Sequence, residues 1–434
     1  MFVARQVTVA LLLVAIVAQA REKTEAVSDK NSLIYYQVSG AGLSSWQLAR
    51  FLKVGPDGDL NWDLLPSISL LRSHAQDRLL SSGGASATVH SHGIAVPSDT
   101  CGLPQETSTG LMRTALSQGL ATGILTTGML ANPSGISSFV AHAPTRGDYE
   151  KVASQLLDAG IDVLLGGGEE WFLPLGVYGQ HGEGLRTDGR NLVEEAEKAG
   201  YRIIHTKEQL AELPNDTPKV LGLFASKTTF NPLPEEELAE RRELAFGPKM
   251  PTISDLVTAA LRFLQGQHFL LLAEEASPGR FGRFNNAQGL AEAMLRADEG
   301  LGVAADYVRN HPRTLLLCLA ENEVGQPGII PLSGDTHETK MLLTGFDNNG
   351  SPVDGVERND KGGVAKPFIS AADNAGRAHP FVVCWGTRMA TSGALVSRAV
   401  GANADRLRAS TTNSDIHRLL QTTLFGAKRT TAEN

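Results

Sequence analysis

The side chains with the greatest chemical reach in this 434-residue chain fall in loops that follow short apolar runs, at Ser39, Arg146, Glu274, Glu321 and Ala390. Glu274, Glu321 and Glu323 offer carboxylate oxygens, the donors that hold hard cations. Arg146, Arg280 and Arg283 offer planar guanidinium forks, which suit phosphate-like oxyanions. Brought together, the two sets would neutralise one another or hold an anion. The histidines rebuild no site. His90 and His92 are two residues apart and would diverge on a helix, and His337 lies in an irregular stretch.

These loops need elements to position them. Residues 32–38 are an apolar run closed by Ser39-Gly40-Ala41-Gly42, the pattern of a buried strand. Further strands are expected at 120–127, 161–165, 202–204, 269–273, 314–320 and 381–385, with helices at 44–52, 109–117, 148–159, 191–199, 251–265 and 290–310. Alternating strands and helices predict a three-layer α/β/α fold with a mainly parallel central sheet. Ligands of such sheets sit at the carboxyl ends of the strands. Residues 324–379 are richer in Gly, Asp, Asn and Pro and read as an inserted irregular lobe.

Composition narrows the function class. With 20% charged residues, a net charge of −8 and no basic cluster, the chain is poorly suited to nucleic acid or anionic membranes. The acidic and basic run Glu235, Glu236, Glu237, Glu240, Arg241, Arg242 reads as a solvated helix face. At the start, Arg5, an apolar stretch over 7–17 and Ala18-Gln19-Ala20 form a secretory signal pattern over residues 1–20, so a secreted or periplasmic protein is expected. The rest, 21–434, is read as one domain carrying the lobe. Cys318 and Cys384 sit in apolar runs and Cys101 in a polar loop. Three cysteines cannot all pair within one chain, and buried thiols are favoured over a disulfide framework.

Several segments, in order and spacing, resemble the alkaline phosphatase family. They include Ala121-Thr122-Gly123-Ile124-Leu125-Thr126-Thr127, the arginine loop from Phe139 through Arg146 to Glu150, Gly166-Gly167-Gly168 followed by Trp171-Phe172, and Val220-Leu221-Gly222-Leu223-Phe224-Ala225. The resemblance spans roughly 30–320 and 380–425. It implies hydrolysis of phosphate monoesters by two zinc ions, a magnesium ion, a serine nucleophile and a phosphate-binding arginine. By resemblance that arginine is Arg146, and a homodimer is implied.

The positions that carry this chemistry depart from the family. Ser39 stands where an aspartate bridges two metals, and Gly83, in Ser82-Gly83-Gly84-Ala85-Ser86, stands at the nucleophile. Gly279 and Arg283 take the places of an aspartate and a histidine that bind zinc. Glu321 and Asn322 replace an aspartate and a histidine, and Ala390 the last histidine. Of the magnesium-type positions, Asn132, Ser134 and Glu274 keep oxygens. Catalytic zinc needs about three protein ligands, so no zinc cofactor is expected, with at most a weakly held magnesium at Glu274. The expectation is a secreted pseudoenzyme able to bind an anion through Arg146, Arg280 and Arg283, the two new arginines also neutralising the leftover glutamates. The alternatives are an active phosphomonoesterase with altered metals and an interaction protein that uses its surface lobe.

Overall fold

The run Ser32–Val38 (β1) is buried along its whole length, as a strand covered on both faces must be. The structure is a computed structural model, which describes residues 31–426 except 335, 348 and 356–365. The signal segment expected over 1–20 lies outside the described residues.

Around β1 stand Ser67–Arg72 (β2), Ala121–Met129 (β3), Val163–Gly167 (β4), Arg202–Ile204 (β5), Val220–Leu223 (β6), Phe269–Glu275 (β7) and Thr314–Leu319 (β8). With Val396–Gly401 and Ser410–Thr412 they form one ten-stranded sheet. Its central order is β8-β1-β7-β3-β4-β6-β5, every neighbouring pair parallel. Only Val396–Gly401 runs antiparallel to its neighbours, β8 and β2.

Alternation along β1 divides the core. Ile34, Tyr36 and Val38 pack with Trp46, Leu256 and Leu301, from the helices Leu43–Lys53, Ile253–Phe263 and Ala287–Asn310. Leu33 and Tyr35 point the other way, toward Ala87, Met112, Leu156 and Leu420 on Gly83–His92, Leu111–Ser117, Tyr149–Asp158 and Asn413–Phe425. The period of two thus builds the three-layer α/β/α fold. Several helices begin with reciprocal caps. Thr252 with Asp255, and Thr412 with Asp415, each close a capping box.

The structure corrects three local readings. Residues 381–385 do form a strand, Pro380–Trp385, but it belongs to a separate small antiparallel sheet with Pro327–Pro331, Val353–Asp354 and Phe368–Ile369. The place beside β8 is taken by Val396–Gly401, and an apolar run alone does not say which sheet it joins. The helices Ser277–Phe284 and Asn413–Phe425 are additions to the elements expected from sequence. Glu235 is not part of a solvated face. It is half-buried, its Oε1 accepts from the Gln288 N–H, and burial followed by nearby Asp354 pushes its carboxyl up to about 8. All three cysteines are free and buried.

Candidate functional site

Because β8, β1, β7 and β3 are adjacent and parallel, their carboxyl ends open at one edge of the sheet. A cleft of about 640 Å³ lies there. β1 delivers Ser39, β7 Glu274, and the loop after β8 Glu321 and Asn322. The loop after β3 supplies Asn132 and Ser134, and the segment before Tyr149–Asp158 supplies Arg146. Gly83 opens its helix on one wall. Gly279, Arg280 and Arg283 come from the helix Ser277–Phe284 opposite, and Ala390 from a short strand paired with Glu323–Val324. Except for Glu323, the site residues singled out in the sequence therefore all line this one cleft. The Glu323 carboxylate is packed against Gly42 and Gly393, where no Cβ could fit beside it.

The floor is a buried hydrogen-bonded chain. Ser39 donates to Glu274 Oε1 at 2.9 Å and Thr126 to Oε2 at 2.7 Å. Gln37 Nε2 donates to Ser39 Oγ at 2.8 Å and reaches Glu274 Oε1 at 3.3 Å. Tyr35 donates to Gln37 Oε1 at 3.1 Å and also meets His90 Nδ1 at 2.8 Å, while His90 Nε2 contacts Asn413 Oδ1 at 3.0 Å. Burial keeps the His90 imidazole neutral, lowering its pKa to about 4. His90 is thus a structural residue holding the strand to its helix layer.

Burial raises Glu274, although hydrogen bonds from Thr126 and Ser39 and the charge of Arg280 act against it. Burial, and then nearby Glu274, push Glu321 up to about 8 despite backbone and Ser39 hydrogen bonds. Glu321 Oε2 and Asn322 Oδ1 are buried and have no hydrogen-bond partner among the described residues.

The rim is basic. Arg146 donates to the Ser98 carbonyl at 3.0 Å and to Asp99 Oδ1 at 2.8 Å, and Arg78 reaches Asp99 Oδ2 at 3.2 Å. Arg280 and Arg283 are exposed on the cleft wall and have no ion-pair or hydrogen-bond partner among the described residues. The expected neutralisation of the glutamates by contact is therefore not seen. Arg280 acts on Glu274 only through space. Desolvation, then Arg280 and Arg146, lower the pKa of Arg283, which marks three guanidiniums close enough to repel one another.

A second cluster has no counterpart in the sequence reading. Glu169, His181 and His205 converge at the ends of β4, β5 and β6, and none of them lines the central cleft. They are separated by 12 and 24 residues with no local motif, and only the topology unites them.

This fold is that of the alkaline phosphatases. The sequence matches the alkaline phosphatase family over residues 30–338, and the chain belongs to that family. It is 24% identical over 382 residues to the membrane-bound alkaline phosphatase of Bombyx mori, covering 77% of this chain and 65% of that protein. It is 25% identical over 325 residues to the repressible alkaline phosphatase of Saccharomyces cerevisiae, covering 68% of this chain and 55% of that protein. The chain thus spans less than two thirds of either relative. Thermus thermophilus alkaline phosphatase shares the fold with a TM-score of 0.69 at 18% identity, over 93% of this chain and 94% of that one.

Proposed function

We propose that this family member is a secreted, non-catalytic protein that binds a phosphate-like oxyanion in its strand-end cleft. The observation that carries the reading is steric. A Cβ on Gly83, at the position that resemblance assigns to the nucleophile, would overlap the Ser134 carbonyl oxygen. Neighbouring hydroxyls are committed elsewhere. Ser82 caps its helix by accepting from the Ala85 N–H and donates to the Ser98 carbonyl at 2.6 Å. Ser86 is fully buried and donates to Ser81.

The donor set does not suit the family's metals. Gly279 and Ala390 bring no ligand atom and Arg283 brings a cation. Gly279 also packs backbone to backbone on Gly40, its N–H donating to the Ser39 carbonyl at 2.8 Å, so the two loops close on each other. Glu321 Oε2 and Asn322 Oδ1 remain as two unpartnered oxygens, too few for zinc. Glu274 is already met by three donors, so magnesium there would compete with them and bind weakly.

The charges favour an anion. Arg78, Arg146, Arg280 and Arg283 face Asp99, Glu274 and Glu321, and Glu321, at about 8, is mostly neutral at pH 7. The test pairs turnover of a chromogenic phosphate monoester at alkaline pH with calorimetry using inorganic phosphate. No turnover, with or without added zinc and magnesium, together with saturable phosphate binding is expected. Chelator-sensitive turnover overturns the reading and restores an altered phosphomonoesterase.

A further inference from the structure

The cluster at the ends of β4, β5 and β6 is made by three separate segments. Glu169 stands just beyond β4 on the left-handed turn at Gly168. His205 follows β5 directly, and His181 comes from the loop at 176–183. The Glu169 side chain is 1% exposed and that of His205 22%. A carboxylate buried this deeply needs every lone pair answered. The backbone N–H groups of Gln180 and His181 donate to its two oxygens at 3.0 and 2.6 Å, and His205 Nδ1 lies 3.3 Å from Oε1. The loop can wrap it this closely because residue 179 is glycine. A Cβ there would come within 2.7 Å of the carboxylate.

The two imidazoles aim at the same place. His181 Nε2 is 2.9 Å, and His205 Nδ1 3.3 Å, from one acceptor, the Leu223 carbonyl oxygen at the end of β6. Four donor atoms therefore lie close together: Glu169 Oε1, His181 Nε2, His205 Nδ1 and Leu223 O. A tetrahedral ion with bonds of about 2.0–2.1 Å holds its ligands about 3.3–3.4 Å apart. Three separations within this set are 3.3, 3.3 and 2.9 Å, and the ligand atoms of Glu169, His181 and His205 all lie within 4.8 Å of one another, so a small inward shift of His181 would complete the shell. We propose that Glu169, His181 and His205 form a structural site for a divalent transition metal of the zinc class, with the Leu223 carbonyl oxygen as the nearest fourth donor.

Two imidazoles and a carboxylate are a donor set that suits zinc. The ion's role follows from what it would join. It would tie the 176–183 loop, which exposes Val177 and Tyr178, to three strand ends at the edge of the sheet. An ion that binds only the folded chain adds stability that grows with the logarithm of its free concentration once that exceeds Kd. Without the ion, each imidazole donates its proton to Leu223 or Glu169, so the cluster is satisfied in both states and the chain folds either way.

Zinc chloride titrated into chelator-treated full-length protein should bind with one equivalent per chain and raise the Tm. Anomalous scattering at the zinc edge should place that ion between His181 and His205. His205→Gln, at a partly exposed position, and His181→Gln should each lose the equivalent and the Tm gain, whereas Glu321→Gln in the central cleft should retain both. Absence of zinc binding at micromolar concentration, an ion located in the central cleft, or an equivalent that survives both histidine substitutions would overturn the proposal. None of these outcomes depends on turnover, so the site stands or falls separately from the pseudoenzyme reading.

Discussion

Above β8, β1, β7 and β3 the strand ends present arginines, glycines and two buried carboxylates. Above β4, β6 and β5 they present two imidazoles and one carboxylate. The sheet and the polarity of its strands are the same in both places, so geometry alone does not decide what an edge can bind. In the central cleft an exposed guanidinium at Arg283 and backbone contact between Gly279 and Gly40 stand where resemblance implies metal ligands, and on our proposal this makes the pocket one for anions. At the outer cluster the converging atoms are carboxylate, imidazole and carbonyl donors, the kind that ligate a cation. The difference lies in which charges were allowed to share a point.

The contrast depends most on whether the central cleft has closed on itself. Gly40 has φ +76°, and a Cβ there would overlap the Gly279 backbone. Gly40→Ala combines left-handed strain with overpacking and should cost about 3 kcal/mol or more in urea unfolding. Gly83→Ser restores a hydroxyl at the nucleophile position but must push aside the Ser134 carbonyl. It should cost about 1–3 kcal/mol and yield no phosphatase turnover. A Gly83→Ser protein of parental stability would show that a nucleophile has room, and the steric argument would fail.

A smaller effect separates the two regions by ligand. Arg280→Ala and Arg283→Ala should each weaken phosphate binding by calorimetry, by about two- to fivefold, because both arginines are exposed and screened. His181→Gln should leave phosphate affinity unchanged. Equal losses from the histidine and the arginine variants would mean that the anion does not sit in the central cleft.

The two regions also differ in how far the sequence revealed them. The cleft was legible because its positions are anchored by register. Trp385, Thr387 and Thr391 flank Ala390, and Glu274 ends a strand whose apolar run is unmistakable. The fold was legible for the same reason, since fully buried parallel strands leave long apolar runs. What register could not supply was direction. Arg280 and Arg283 occupy the expected wall without touching the glutamates, and Glu323 turns out of the cleft because Gly42 and Gly393 leave space for it elsewhere. The outer cluster was invisible because His181 and His205 are joined through a strand order, β4-β6-β5, that no local spacing encodes. The strand Pro380–Trp385 joins a different sheet from the one expected for a related reason: burial is written in the sequence, but partners are not.

The remaining effect is graded with pH and concerns charge inside the cleft. Glu321 has a folded pKa of about 8 against an ordinary 4.5, with burial the leading cause. A carboxyl raised in this way binds its proton more tightly when folded. Its contribution to stability is complete below the ordinary value and is lost as pH rises through about 8. Glu321→Gln cannot titrate, so the slope of stability against pH should flatten relative to the parent between pH 6.5 and 8, by at most about 1.4 kcal/mol per pH unit. His90 and His92, both lowered to about 4 chiefly by burial, act with the opposite sign between about 4 and 6.5, but they are present in both proteins and cancel in the difference. Glu235 and Asp354 are also raised and slope in the same direction as Glu321, but they too are present in both proteins and cancel in the difference. The same proton governs the ligand. Above pH 8 the parent gains a negative charge beside the anion and should lose phosphate affinity, while Glu321→Gln should not. If the two proteins have parallel pH profiles for stability and for phosphate binding, Glu321 is not the group that keeps the central cleft positive at neutral pH, and the contrast with the outer cluster must rest on the arginines alone.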